Sequence, residues 1–176
     1  MRPRGSLVLA MVFCAAPLWA DGQQPRVRGL DPVAVSALQA ARAGSGTVRR
    51  MIERLERSDL VVYVRFAPRL EQPRAATAIL SVLPHTRYVL ISVTTLAGET
   101  DRLVLLGHEL QHAVELAEAP RVRDRAGMVE LYERIGWRDG PSRYETPEAQ
   151  ATGRAVRQEL GVRERAQAHA LTATSR

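Results

Sequence analysis

The stretch His108-Glu109-Leu110-Gln111-His112 constrains this chain more than any other feature. It sits in an apolar run whose Leu103, Leu106, Leu110 and Val114 recur at helical spacing. Side chains four residues apart share one face of a helix, roughly 6 Å from each other. Two imidazoles so placed can hold a single metal ion. The carboxylate between them is placed to handle the proton of a water on that ion. A helix from about Thr100 to Glu118 is therefore expected, stopping before Pro120.

The pattern around this helix reads as a mixed α+β domain. Asp31-Pro32 forms an N-cap followed by proline at the first helical position, opening a helix to about Arg42. Gly44-Ser45-Gly46 breaks it. Val48, Met51, Ile52 and Leu55 mark a second helix over about 47–57. Three β-rich runs follow, Leu60–Phe66, Ala75–Leu83 and Tyr88–Thr94. Pro68, Pro73 and Pro84 punctuate connections short enough for antiparallel neighbours. A small antiparallel sheet packed on the His-bearing helix, with helices on either side, is the expected fold. Further helices are expected over about 126–135 and from Pro147 to Leu160 or a little beyond. A loop over Gly136–Tyr144 separates them.

The chain has 176 residues, enough for one domain with a core. Residues 1–20 read as a secretory signal. Arg2 and Arg4 supply charge, Leu7–Ala16 an apolar run, and Leu18-Trp19-Ala20 a small residue before Asp21. The run is too short for a comfortable membrane span. The only cysteine, Cys14, follows bulky Phe13, which argues against a lipid-modified start. Residues 21–30 are expected to be a flexible segment, 31–166 a single domain and 167–176 a frayed tail. The expected location is secreted or periplasmic, with no stable membrane anchor once the signal is removed. The mature chain lacks cysteine, so it has neither disulfides nor thiolate chemistry.

All 25 basic residues are arginine and asparagine is absent, as in coding sequences biased toward GC. Without Arg2 and Arg4, 23 arginines face 19 acids, a net charge of +4. These arginines are interspersed with acids, as in Arg49–Arg57, which is the pattern of a solvated helix face. High pI is thus no nucleic-acid footprint here, and no nucleic-acid partner is expected.

On His108, Glu109 and His112 the chain resembles the zincin metallopeptidases. The resemblance implies Zn2+ as cofactor, His108 and His112 as its ligands, and Glu109 as general base. It also implies a peptide or protein substrate lying extended along an edge strand. In the metzincin branch a glycine and a third histidine follow; here those positions are Glu115 and Glu118. Glu115 shares the histidine face, but His108 and Glu115 are about 10.5 Å apart along the axis. One ion with ~2 Å bonds does not span that distance. Glu115 reads as a hydrogen-bond acceptor behind the ligands or as an ordinary polar residue. The gluzincin branch takes its third ligand from a later glutamate, and Glu130, Glu133, Glu145 and Glu148 are candidates, with Glu118 behind. Glu145 leads because it precedes the stripe Ala149, Gly153, Val156 and Leu160, the face on which the last helix packs. Gly153 would let another helix approach closely.

Tyr132, Tyr144 and His85 are secondary candidates for stabilising an oxyanion, and Trp137 for lining a pocket. Tyr132, Tyr144 and His85 are each more often packing or surface residues, and Trp137 could simply cap the core. Two other classes of function stay open: a non-catalytic zinc-binding or partner-binding module, and a metal-free domain in which the motif is coincidence. Intact-mass analysis of exported protein should find a chain beginning near Asp21. A species still beginning at Met1 refutes the secretory reading.

Overall fold

The computed structural model describes residues 24–68, 75–141 and 143–174. The expected signal at 1–20 lies outside them. Among the described residues no helix is long and apolar enough to cross a membrane.

The expected α1 and α2 form at Pro32–Gly44 and Gly46–Glu56. Asp31 caps α1 by accepting from Ala34 N at 2.8 Å, and its other oxygen accepts from Phe66 N at 3.1 Å. Ser45 ends α1 and caps α2, where its Oγ accepts from Val48 N. One corner residue therefore serves both helices.

Of the segment 21–30, residues 24–30 are described. Val27–Gly29 form a strand, β1. Val27 is buried, and the Glu56 carboxylate accepts from the backbone N–H of Arg26 and of Val27. That side chain, distant in sequence, anchors a segment whose own composition reads as loop.

The three long strands form at Leu60–Ala67 (β2), Ala75–Leu83 (β3) and Thr86–Thr94 (β4). The sheet is mixed, not antiparallel as expected, with the order β1-β2-β4-β3. Strands β3 and β4 pair antiparallel, but β2 runs parallel to both β1 and β4. Burial explains the order. In β4, Val89, Ile91 and Val93 are fully buried and Ser92 and Thr94 nearly so, which suits a central strand. Strand β3 exposes Ala78, Leu80, Ser81 and Leu83 and takes the edge. The chain from Ala67 to Ala75 is long enough to step across two strand spacings, about 10 Å.

The motif helix, α3, spans Glu99–Glu118. Beyond it lie α4 (Arg125–Ile135) and α5 (Pro147–Thr174). Helices α1 and α2 pack on β1 and β2, and α3 on β3 and β4. Helix α5 lies across α3 and reaches α2 and α1. So most of α3 from Leu103 to Leu116 is buried, with Leu105, His108 and Gln111 only partly so. Helix α5 outruns its expected end because nothing in Gln167–Thr174, rich in alanine, breaks a helix. The supposed loop before it holds a two-residue hairpin, β5 (Trp137–Arg138) and β6 (Tyr144–Glu145).

Gly153 does not set the approach of α5 to α3. A Cβ there would meet His108 at an ordinary 3.8 Å. The tight point is Gly107, where a Cβ would lie 2.8 Å from Val156 Cγ2. Gly107→Ala should therefore destabilise the chain by about 1–3 kcal/mol, the usual cost of overpacking. Val156→Ala should relieve most of that cost in the double variant. Urea denaturation of the two singles and the double reads this, and additive losses would place the conflict elsewhere.

Candidate metal centre

Three ionisable residues of α3 are almost fully enclosed: Glu109, His112 and Glu115. An enclosed charge needs partners, and each has them. Toward the sheet, Thr77 Oγ1 on β3 donates to Glu109 Oε2 at 2.7 Å. Toward α4 and the hairpin, His112 Nδ1–H donates to Glu115 Oε2 at 2.8 Å. The Tyr132 hydroxyl donates to the His112 carbonyl at 3.1 Å, and its ring meets the imidazole edge-on at 5.2 Å.

Glu145 reaches the same place from β6. Its Oε1 lies 3.1 Å from His108 Nε2 and 3.6 Å from His112 Nε2. The three donor atoms fall within 4.8 Å of one another. Bonds of about 2 Å at the tetrahedral angle put neighbouring donors roughly 3.3 Å apart, so the set has the right scale for a transition ion. Its chemistry agrees. Because Glu115 accepts from His112 Nδ1–H, the nitrogen of that ring left to bind a metal once the ring is neutral is Nε2, which faces Glu145. Two imidazole nitrogens and a carboxylate oxygen suit a divalent transition ion, Zn2+ among them.

Glu145 was expected on the packing face of the last helix. It stands instead on β6, paired across the hairpin with Trp137. Gly136 explains its position. A Cβ at Gly136 would lie 1.9 Å from the Glu145 carbonyl oxygen, so only glycine lets the end of α4 touch this strand. The other candidate acids are elsewhere and exposed. Glu118 pairs with Arg54 and Glu133 with Arg138, while Glu130 and Glu148 face outward.

A cavity of about 390 Å³ opens at the cluster, lined by His108, Glu109, His112 and Glu145. Ala75, Ala76 and Thr77 form its β3 wall, Leu105 and Met128 an apolar wall, and Tyr144 and Arg143 the hairpin side. Tyr132 also lines it, but its hydroxyl proton is committed to the His112 carbonyl. The Tyr144 hydroxyl accepts from Arg138. His85 lies exposed in the turn between β3 and β4, and Trp137 is exposed outside the lining. Thr77 and Thr146, which hydrogen-bond Glu109 and Glu115, carry no signal of that role in the sequence. Thr146 was legible only as the residue before a helix-opening proline.

Charges in the cluster are strongly coupled. Burial pushes the Glu109 carboxyl up, against the opposing pull of His112, His108 and Thr77. Burial disfavours the charged form of His112, but hydrogen bonds to Glu115 and Glu145 outweigh it and raise its pKa to about 10. Burial likewise works against ionised Glu145, yet its contacts with His108 and His112 hold it well below the usual carboxylate range. Compared with known proteins, the chain matches no family model, no curated protein and no solved structure.

Two outcomes follow from the geometry. Glu145→Ala should lower zinc affinity by at least an order of magnitude, whereas Glu148→Ala should leave it unchanged. The reverse result moves the third ligand to α5. A zinc ion bound through His112 would have to displace the proton that the hydrogen bonds to Glu115 and Glu145 favour on this ring, whose pKa they raise to about 10. Binding at pH 7 should therefore release a proton, and affinity should climb with pH until His112 is neutral. Calorimetry in buffers of different ionisation enthalpy measures the proton count, and zero release contradicts the protonated cluster.

Proposed function

We propose that this chain is a zinc-dependent metallopeptidase of minimal gluzincin type, acting in a secreted or periplasmic setting. One observation carries the reading. Two histidines and a glutamate converge on one wall of a cavity, with Glu109 beside them and an edge strand along the rim. The signal-like residues 1–20 support the location.

A zinc ion held by His108, His112 and Glu145 would supply a Lewis acid for a carbonyl and acidify a water. The protein supplies the rest. Glu109 takes the proton of the attacking water and passes it to the leaving amine nitrogen. Thr77 holds one oxygen of that carboxylate, which leaves the other for the proton. Burial in an enclosed site strengthens these interactions relative to water.

The β3 edge favours an extended substrate. Among the described residues β3 pairs only with β4, so its outer backbone groups can receive a peptide strand. Ala75 and Ala76 leave room beside it. An open coordination position is the mark of a catalytic zinc site, and a fourth protein ligand that of a structural one. The cluster among the described residues numbers three, which supports the enzyme over a non-catalytic zinc module.

Glu109→Gln keeps the shape of the side chain but cannot take up the proton. It should bind zinc as wild type does and lose cleavage of fluorescent casein on the order of a hundredfold or more. Equal cleavage by the variant removes Glu109 from the mechanism. A wild-type chain that binds zinc but cleaves neither casein nor a mixed peptide library points to the non-catalytic module.

A further inference from the structure

His108 and His112 arrive at the metal cluster preset, because one helix carries both. Glu145 does not. It comes from a separate hairpin, and something must fix its distance from α3. The Gly136 contact ties the hairpin to α4, not to α3.

The tie to α3 runs through Glu115. Both of its carboxylate oxygens are committed. Oε2 accepts from His112 Nδ1–H, and Oε1 accepts from Thr146 Oγ1–H at 2.6 Å. Thr146 is the residue directly after Glu145 and is fully buried. Its oxygen also accepts from Ala149 N at 3.0 Å, capping α5. A single hydroxyl thus donates toward the motif helix and accepts from the last helix. The carboxylate that orients one metal donor is hydrogen-bonded to the neighbour of another.

We propose that the Glu115–Thr146 hydrogen bond is a positioning contact that sets metal affinity by fixing Glu145 relative to His112. The inference rests on the metal-site reading above. Neither residue belongs to the donor set, and both act through the residues that do. Without the hydroxyl, Glu115 still orients His112, but the Glu145 segment loses its tie to α3. Its carboxylate must then be ordered at the moment of binding, at a cost in affinity.

The test is zinc affinity of the full chain, measured by competition with a chelating indicator. Thr146→Val should weaken binding about tenfold or more, in the range found for groups that support metal ligands. Thr146→Ser keeps the hydroxyl and should restore wild-type affinity. Glu115→Gln leaves the α5 cap in place and should also weaken binding. The double variant should be little weaker than the weaker single, because both changes cut the same link. A helix cap with no role in positioning gives additive losses instead, and that overturns the proposal. So does wild-type affinity in Thr146→Val. Should that variant fail to fold, hydrogen exchange of Glu115→Gln carries the test. Faster exchange over residues 144–146 supports the tie, and unchanged exchange overturns it. A wild-type chain that binds no zinc ends the metal reading and this inference together, whereas zinc-binding wild type with Thr146→Val at parity ends this inference alone.

Discussion

The structure is organised by the enclosure of α3. This helix runs between the sheet and α5, so Glu109, His112 and Glu115 in its middle have no solvent face to turn to. A buried charge without partners costs several kcal/mol, and the fold has to supply those partners from outside the helix. They come from three elements. Thr77 on the edge strand serves Glu109, Tyr132 on α4 serves the His112 backbone, and the β6–α5 junction serves Glu115 and both histidines. Among the described residues no buried side-chain nitrogen or oxygen lacks a partner. The cluster that can hold a metal is therefore also what makes the burial of this helix possible.

The far end of α3 is fastened differently. Arg87 on β4 is fully buried, and its guanidinium grips both oxygens of Asp59 at 2.7 and 2.8 Å. Its remaining nitrogen donates to the carbonyls of Ala119 and Val122, just past the end of the helix. A planar fork with five donors can do this, whereas a lysine could satisfy only part of it. Arg87 thereby ties the sheet to the point where α3 stops. With Gly107 seating Val156 of α5 midway, the helix is held at its centre and its C-terminal end. Rigid support of this kind is what a metal site needs if its donors are to meet within tenths of an ångström.

Local signals in the sequence were sound, and pairings between distant segments were not legible. Asp31 and Pro147 mark helix starts, and Gly44-Ser45-Gly46 marks the break between α1 and α2, because caps and breakers are local chemistry. The stripe Leu103, Leu106, Leu110 and Val114 correctly identifies the core face of α3. Period alone did not reveal that the opposite face is buried too, since His112 and Glu115 read as polar. Strand order was missed because β3 and β4 are similarly β-rich, and only burial distinguishes edge from centre. Glu145 stands ahead of an apolar stripe in the sequence, yet what positions it is a hairpin closed by Gly136. Nothing in Gly136-Trp137-Arg138 announces a contact with Glu145. Arg87 looked like one of many arginines, and its burial depends on Asp59 and on two carbonyls remote in sequence.

The two histidines are braced unequally, and this bears on how the cluster would behave. His112 is enclosed, with Glu115 on one ring nitrogen and Tyr132 against its edge. His108 is more open, and among the described residues its one polar side-chain partner is Glu145. It faces Gly153, where the missing side chain leaves ordinary contact and no hydrogen bond. Glu145 in turn is tied to the hairpin and to Thr146. The rigid part of the site is thus the His112–Glu115–Thr146 line, which joins α3 to the start of α5. His108 and the carboxylate of Glu145 lie on the cavity side of that line. The division leaves an enclosed, hydrogen-bonded wall on one side of the cluster and two partly exposed donors on the cavity side. On the reading proposed above, the open side of the cluster is the one that His108 and Glu145 face, because each keeps about a fifth of its side-chain surface exposed (20% and 19%) while His112 keeps 7%.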